Sequence, residues 1–259
     1  MKKIPVLLIA LFVCIGITSC KKDADEATPT TTNTGGGGAD TTSTGNELPD
    51  AFKLFVNSTE AKVDGDFVVI TAKGVPDHKS PYWARNNALY EAYNGSNVNF
   101  KQNPNVIAEQ NFTFRIPLNP TEAATKAATP FGAIGVTVNG VAIFNQYAAP
   151  GDDLSAEINT FDQHNGHPTS TGTYHYHIEP TYLTANNKEG LVGFLLDGFP
   201  VYGPQENGKT IVNSDLDIYH GHKTATKEYP NGIYHYHITD NDPYINGQGF
   251  FGTAGTVTQ

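Results

Sequence analysis

The segment Gly172-Thr173-Tyr174-His175-Tyr176-His177-Ile178 recurs 60 residues later as Gly232-Ile233-Tyr234-His235-Tyr236-His237-Ile238. Alternating Tyr and His matches the period of a β-strand, whose successive side chains point to opposite faces. The pattern predicts two strands, each with its tyrosines on one face and its histidines on the other. Residues i and i+2 on a strand stand about 6.5–7 Å apart, so each histidine pair can chelate one ion with modest rotamer adjustment.

Two further blocks repeat around this one. Asp162-Gln163-His164-Asn165-Gly166-His167 echoes Asp217-Ile218-Tyr219-His220-Gly221-His222, and Gly135 to Phe144 echoes Gly193 to Tyr202 at an offset of 58. Asn139-Gly140 and Asp197-Gly198 lie between apolar runs in the latter pair, which predicts type I′ hairpins. Three blocks in one order predict a tandem repeat over about residues 131–180 and 190–240, with pseudo-twofold symmetry. Phe67 to Ile70, Phe112 to Ile116, Ile134 to Val138 and Val192 to Leu196 read as strands. Ala123 to Ala128 and Tyr82 to Tyr93 read as short helices, and recurrent prolines leave no room for long ones. The expected fold is mostly β: a single sandwich-like or barrel-like domain over residues 47–259, with few short helices.

The N-terminus reads as an address. Lys2 and Lys3 precede an apolar run from Pro5 to Ile17, too short to span a bilayer comfortably, and Ile17-Thr18-Ser19-Cys20 resembles a bacterial lipobox. Residues 1–19 are then a lipoprotein signal peptide, and acyl chains on Cys20 tether the protein to a membrane. Cleavage removes Lys2 and Lys3, taking the formal charge from −10 to −12. Lys21-Lys22-Asp23 and the nearby acids resemble the export tags of surface lipoproteins. The expected location is the bacterial cell envelope, anchored in the outer membrane and exposed at the surface. Residues 20–46 are rich in Thr and Gly without apolar periodicity, the composition of a flexible tether.

Composition narrows the chemistry. Sixteen Lys+Arg against 26 Asp+Glu do not suit a phosphate backbone, so nucleic acid is excluded as a partner. The two cysteines are Cys14 and Cys20 and the one methionine is Met1, so nothing beyond Cys20 contains sulfur. That excludes disulfides, iron–sulfur clusters, thiolate zinc and blue-copper sites from the folded part. Any metal is held by nitrogen and oxygen.

Eight of the nine histidines fall in the repeated blocks: His164, His167, His175, His177, His220, His222, His235 and His237. A single His-x-His is more often a surface pair or a hydrogen-bonded core group. Paired sets in two registers, with almost no histidine elsewhere, point instead to a divalent transition metal, zinc or copper above others. Asp162 and Asp217 are candidate ligands, orienting groups or general bases.

The twin Tyr-His-Tyr-His blocks, with Gly74-Val75-Pro76-Asp77-His78, Asn103-Pro104-Asn105 and Leu196-Asp197-Gly198-Phe199-Pro200, resemble the YHYH domain family of bacteria. The resemblance runs from about residue 66 to 252. It implies an exported protein, supplies no mechanism, and draws attention to Asp77 and His78 as an additional site. Relatives carry cysteines near the His-Gly-His turn and the C-terminal Gly-Phe-Phe; here Ile218-Tyr219 and Gln248-Gly249 stand there. No sulfur ligand or disulfide carries over.

Three functions follow. The first is a cell-envelope lipoprotein binding a divalent transition metal through paired histidines. The second is a metal-dependent hydrolase or oxidoreductase with three histidines on the ion and one position left open. The third is a metal-free module for glycans or a protein partner. Four protein ligands per ion indicate structure or storage; three beside a pocket indicate chemistry.

Overall fold

Alternation of buried and half-buried positions builds the smaller of the two main sheets. The computed structural model describes residues 47–259 apart from Ser58 and Ala156, so the expected signal peptide, Cys20 and the expected tether lie outside the described residues. Strands β1 (Glu60–Asp64), β2 (Phe67–Ala72) and β3 (Phe112–Pro117) pair antiparallel in that order. Val68 and Ile70 on β2, with Phe114 and Ile116 on β3, turn one face wholly inward.

Eight strands form the second sheet: β4 (Gly135–Thr137), β5 (Ala142–Ile143), β6 (Gly166–Pro168), β7 (Tyr174–Tyr176), β8 (Leu191–Leu195), β9 (Pro200–Tyr202), β10 (Gly221–Thr224) and β11 (Ile233–His237). A last strand, β12 (Thr256–Thr258), returns to the first sheet beside β3. The spatial order of the large sheet is β10-β11-β9-β8-β4-β5-β7-β6. Around its central antiparallel β4–β8 pair the pattern reads alike toward both edges: a hairpin partner, then a parallel strand, then an antiparallel edge strand. The outermost two strands at each edge carry the histidines.

Val68, Ile70, Phe114 and Ile116 of the small sheet belong to one core cluster with Ile134, Val136, Phe194, Leu195 and Val201 of the large one. The result is a mostly β, sandwich-like arrangement. The barrel alternative is corrected: both sheets are open-ended.

Other expectations change in detail. Each Asx-Gly hairpin has a three-residue loop, Val138-Asn139-Gly140 and Leu196-Asp197-Gly198, with positive φ only at Gly140 (82°) and Gly198 (86°). A type I′ turn would need it at both central residues. Asn139 is held otherwise: its Oδ1 accepts from Thr137 Oγ1 at 2.6 Å and its Nδ2 donates to Asp77 at 2.9 Å. The alanine-rich stretch expected as a helix is a strand, Glu122–Ala127, paired with Phe250–Gly252. Sheet pairing outweighs the weak helical preference, and Lys126 fastens it by donating to Phe251 O at 2.8 Å. Tyr82 to Tyr93 is a run of turns. The sole α-helix among the described residues is the single turn Thr181–Thr184.

The Ile218-Tyr219 and Gln248 neighbourhoods are adjacent: Gln248 N donates to Ile218 O at 2.9 Å and Gly247 N to Tyr219 O at 3.1 Å. Backbone hydrogen bonds thus join these two segments. No helix of the described residues is long and apolar enough to cross a membrane.

Phe52, on a short 3₁₀ turn (Asp50–Leu54), stacks on Phe194 of β8 with ring centroids 4.0 Å apart. It is 3% exposed. Phe52→Ala should cost about 3–5 kcal/mol, read as a lowered urea midpoint. A change below 1 kcal/mol would mean that the N-terminal turn is not part of the core.

Candidate metal centres

Three strand positions make each centre. His175 and His177 leave one face of the strand that begins as β7, and His167 stands opposite His175 in the β6–β7 pair. The Nε2 atoms of His175 and His177 lie 2.9 Å apart, and those of His167 and His175 3.1 Å. The second centre repeats this on β10 and β11. His222 stands opposite His235, with Nε2 separations of 3.2 Å for His222–His235 and 3.1 Å for His235–His237. Strand alternation supplies two rings and cross-strand pairing the third.

The turn before each third histidine is fixed by an aspartate. Asp162 Oδ1 accepts from the backbone N–H of His164 at 2.8 Å and of Gly166 at 3.3 Å. Asp217 Oδ1 does the same for Tyr219 at 2.9 Å and Gly221 at 3.2 Å. The tyrosine face then locks each turn to its strand, since Tyr174 donates to Asp162 at 2.8 Å and Tyr234 to Asp217 at 2.9 Å. Glycine is required at 166 and 221, where a Cβ would lie 2.4 Å from the Tyr174 ring and 2.5 Å from that of Tyr234.

A carboxylate completes each group. Glu157 Oε1 is 3.5 Å from His167 Nε2 and its Oε2 3.9 Å from His177 Nε2. Glu206 Oε2 is 3.5 Å from His222 Nε2 and its Oε1 3.6 Å from His235 Nε2. Neither glutamate lies in a repeated block. Glu157 begins a 3₁₀ turn ahead of β6, whereas Glu206 sits on a small hairpin (Gln205–Glu206 with Lys209–Thr210) after β9.

Hydrogen bonding fixes the tautomers of every ring but His222. The Nδ1 atoms of His175, His177, His235 and His237 face the carbonyls of Thr173 (3.0 Å), Asn145 (2.5 Å), Ile233 (3.0 Å) and Gly203 (2.8 Å). A carbonyl only accepts, so Nδ1 carries the proton and Nε2 is bare. His167 Nδ1 meets Thr160 Oγ1 at 2.6 Å, and that hydroxyl donates to Glu157 O at 2.8 Å, so it accepts from the ring. Bare Nε2 atoms about 3 Å apart cannot hydrogen bond to each other. Their lone pairs converge on a common point, the arrangement a cation satisfies. Nitrogens 2.9–3.2 Å apart subtend about 90–105° at an ion bonded at about 2.0–2.1 Å, between octahedral and tetrahedral values.

Electrostatics agree. Burial pushes His167 down to about 3 and His177 to about 4, and holds His175 well below the usual imidazole range. His235 is pushed down to about 4, again by burial. Burial raises the Glu157 carboxyl. The contact between His167 and Glu157 is therefore not an ion pair, and Glu157 Oε2 is buried without a hydrogen-bond partner. A divalent ion would favour the ionised carboxylate and meet all four ligands at once.

Six of the eight candidate histidines converge in these groups. His164 does not: its ring packs 4.3 Å from His78 and 5.4 Å from Tyr182, away from the Nε2 atoms of the first centre. His220 takes positive φ (75°), and its Nε2 meets Thr239 Oγ1 at 3.0 Å. Asp162 and Asp217 sit on the tyrosine side, with both oxygens of Asp162 and Oδ1 of Asp217 occupied by the bonds above. Asp77 accepts from Asn139, and His78 Nε2 meets Tyr176 OH at 2.9 Å, on that same side. The residues not singled out in the sequence are Glu157 and Glu206.

Each centre opens on a cavity. One of about 400 Å³ is lined by His167, His175, His177 and Glu157, and another of about 280 Å³ by His235, His237 and Glu206. Phe144 stacks on His175 at 3.9 Å in the first, and Tyr202 meets His235 edge-on at 5.1 Å in the second.

A family model described as YHYH protein matches residues 113–212 and 205–249, more than half of the chain, and takes in both centres. No curated protein and no solved structure gives a match.

Depressed imidazole values set a pH dependence for the ion-free protein. Between about 6.5, the ordinary value, and about 4, the unfolded chain binds more protons than the folded one. Stability from these rings is therefore present above pH 6.5 and lost as pH falls toward 4. Thermal unfolding of chelator-treated protein should show the midpoint dropping steadily across that window. A flat profile would contradict neutral burial of the rings.

Proposed function

The chain belongs to the YHYH protein family, and we propose that it is an exported, lipid-anchored metalloprotein with two divalent transition-metal centres, each held by three imidazoles and one carboxylate. The observation that carries this reading is the convergence of Nε2 atoms at 2.9–3.2 Å in both edge hairpins, bare at every ring but His222. A hydrogen-bonded core would place a donor opposite each acceptor. Zinc accepts three nitrogens and one carboxylate oxygen in four-coordination, and copper(II) accepts the same donors. The same reading takes the two centres as products of a tandem duplication, supported by the matching strand pattern. Cys20 supplies the anchor, placing the centres in the cell envelope on the outer membrane.

A metal-dependent hydrolase or oxidoreductase is a second reading, favoured by the cavities beside the ligands. In it the general-base role considered for Asp162 and Asp217 passes to Glu157 and Glu206, the carboxylates nearest the imidazoles.

Untagged protein dialysed after loading should hold two equivalents of zinc or copper by elemental mass spectrometry. Replacing His175 and His177 by alanine should leave one equivalent, and replacing His235 and His237 as well should leave none. Ion content unchanged by the first double replacement would sink the assignment.

Labelled palmitate should enter the wild-type chain in an exporting bacterial host. Cys20→Ser should abolish the label and release the protein from the membrane fraction. Retention of the serine variant in membranes would show that another segment anchors it.

A further inference from the structure

The two centres share ligands and differ in surroundings, and the difference selects a ligand for one of them. Among the described residues, Glu157 is the only charged side chain lining the cavity at His167, His175 and His177. A divalent ion there, against one carboxylate and three neutral imidazoles, leaves one positive charge uncompensated. The other cavity carries Glu189, Glu206 and Glu228 with Lys227. The same ion there is neutralised by the side chains already present.

The walls differ as well. The first cavity runs from Phe144, stacked on His175, to Phe131 and Tyr147 at its mouth. Those two aromatics are 58% and 45% exposed, among the most exposed large apolar residues of the domain. Burying their faces is favourable once a flat ligand enters. At the second cavity's mouth the corresponding lining is Asn187, Asn207 and Glu228. A volume of about 400 Å³ holds a small ring compound with room to reach the ion.

We propose that the centre of His167, His175, His177 and Glu157 binds a small aromatic monoanion, a carboxylate or phenolate, whose oxygen meets the metal while its ring lies between Phe131, Tyr147 and Phe144. This rests on the two-centre metal reading. Ligand charge balances the ion, and the apolar walls exclude water from the contact. The second centre takes no such anion.

Benzoate is the probe, with benzamide and acetate as its neutral and ring-free counterparts. Ion content is measured on every sample. Calorimetry on zinc-loaded protein should show one benzoate per chain, bound at least about tenfold more tightly than either counterpart. In cobalt(II)-loaded protein, benzoate should shift the visible absorption bands of one of the two ions. Phe131→Ala with Tyr147→Ala should weaken benzoate about tenfold, with ion content still two and acetate binding unchanged. Binding should vanish when His175 and His177 are replaced and persist when His235 and His237 are replaced. Two ions per chain without preference for benzoate would overturn the inference and leave the metal reading standing. Binding that follows the other centre would do the same. Failure to retain any ion would overturn both.

Discussion

The hydrogen bond from Tyr174 to Asp162, matched by that from Tyr234 to Asp217, couples the fold to the centres. Its donors lie on the face of each strand opposite the histidines. Its acceptors organise the turns that deliver His167 and His222. Because a strand sends alternate residues to opposite faces, anchoring the tyrosines fixes the side on which the imidazoles emerge. Tyr174 is fully buried and Tyr234 nearly so, so the strand cannot rotate about its axis without exposing them. The turn cannot drift either, since the aspartate is bonded to it through two backbone N–H groups. Ligand position is set from behind, by residues that touch no ligand atom of the ion.

Much of this was legible in the sequence because it rests on alternation and local spacing. Tyr-His-Tyr-His read as a strand, and the Asp-x-x-x-Gly-His blocks read as turns presenting further histidines. The roles within those turns were not legible. Asn165 and His220 occupy the same left-handed position, φ 66° and 75°, so the histidine there serves the turn and not the centre. Position 164 faces His78 and Tyr182 for a related reason, since it lies on the outer side of the Asp162 turn. The carboxylates were hidden by the criterion that found the imidazoles. Repetition marks what the two halves share, whereas Glu157 and Glu206 arrive on unlike segments, a 3₁₀ turn and a small hairpin. Only three-dimensional proximity identifies them. The alanine-rich stretch at residues 122–127 misled for the opposite reason: local preference pointed to a helix, and its partner strand lay over 120 residues away.

The halves are alike in the imidazoles that converge and unlike in the parts that surround them. Phe144 and Tyr202 hold equivalent places, yet the first packs flat on an imidazole and the second turns its hydroxyl to Thr226 and Glu228 at 2.7 and 2.9 Å. A phenol that bonds a carboxylate keeps that acid at the wall of the second cavity. Phenylalanine attracts no acid, and the first cavity has none beyond Glu157. One aromatic position thus accounts for part of the charge difference between two centres with the same donors.

Imidazole nitrogens held about 3 Å apart, bare at every ring but His222, are a cost the fold carries when no cation is present. All rings but His222 are buried away from water, and no bare nitrogen can donate to its neighbour, so lone pairs face one another with nothing between them. Relief by protonation is available in principle, yet burial opposes it, as the depressed values of His167, His177 and His235 show. A rotamer change would relieve the crowding more cheaply, and Nδ1 hydrogen bonds oppose it, to carbonyls at His175, His177, His235 and His237 and to Thr160 at His167. An arrangement that forbids each ordinary escape is stable only where something else gains by it. Binding a divalent ion converts the repulsion into coordination and adds its binding free energy to the folded state alone. The crowding thus lies where a cation would remove it, held largely by main-chain acceptors on the far side of the rings.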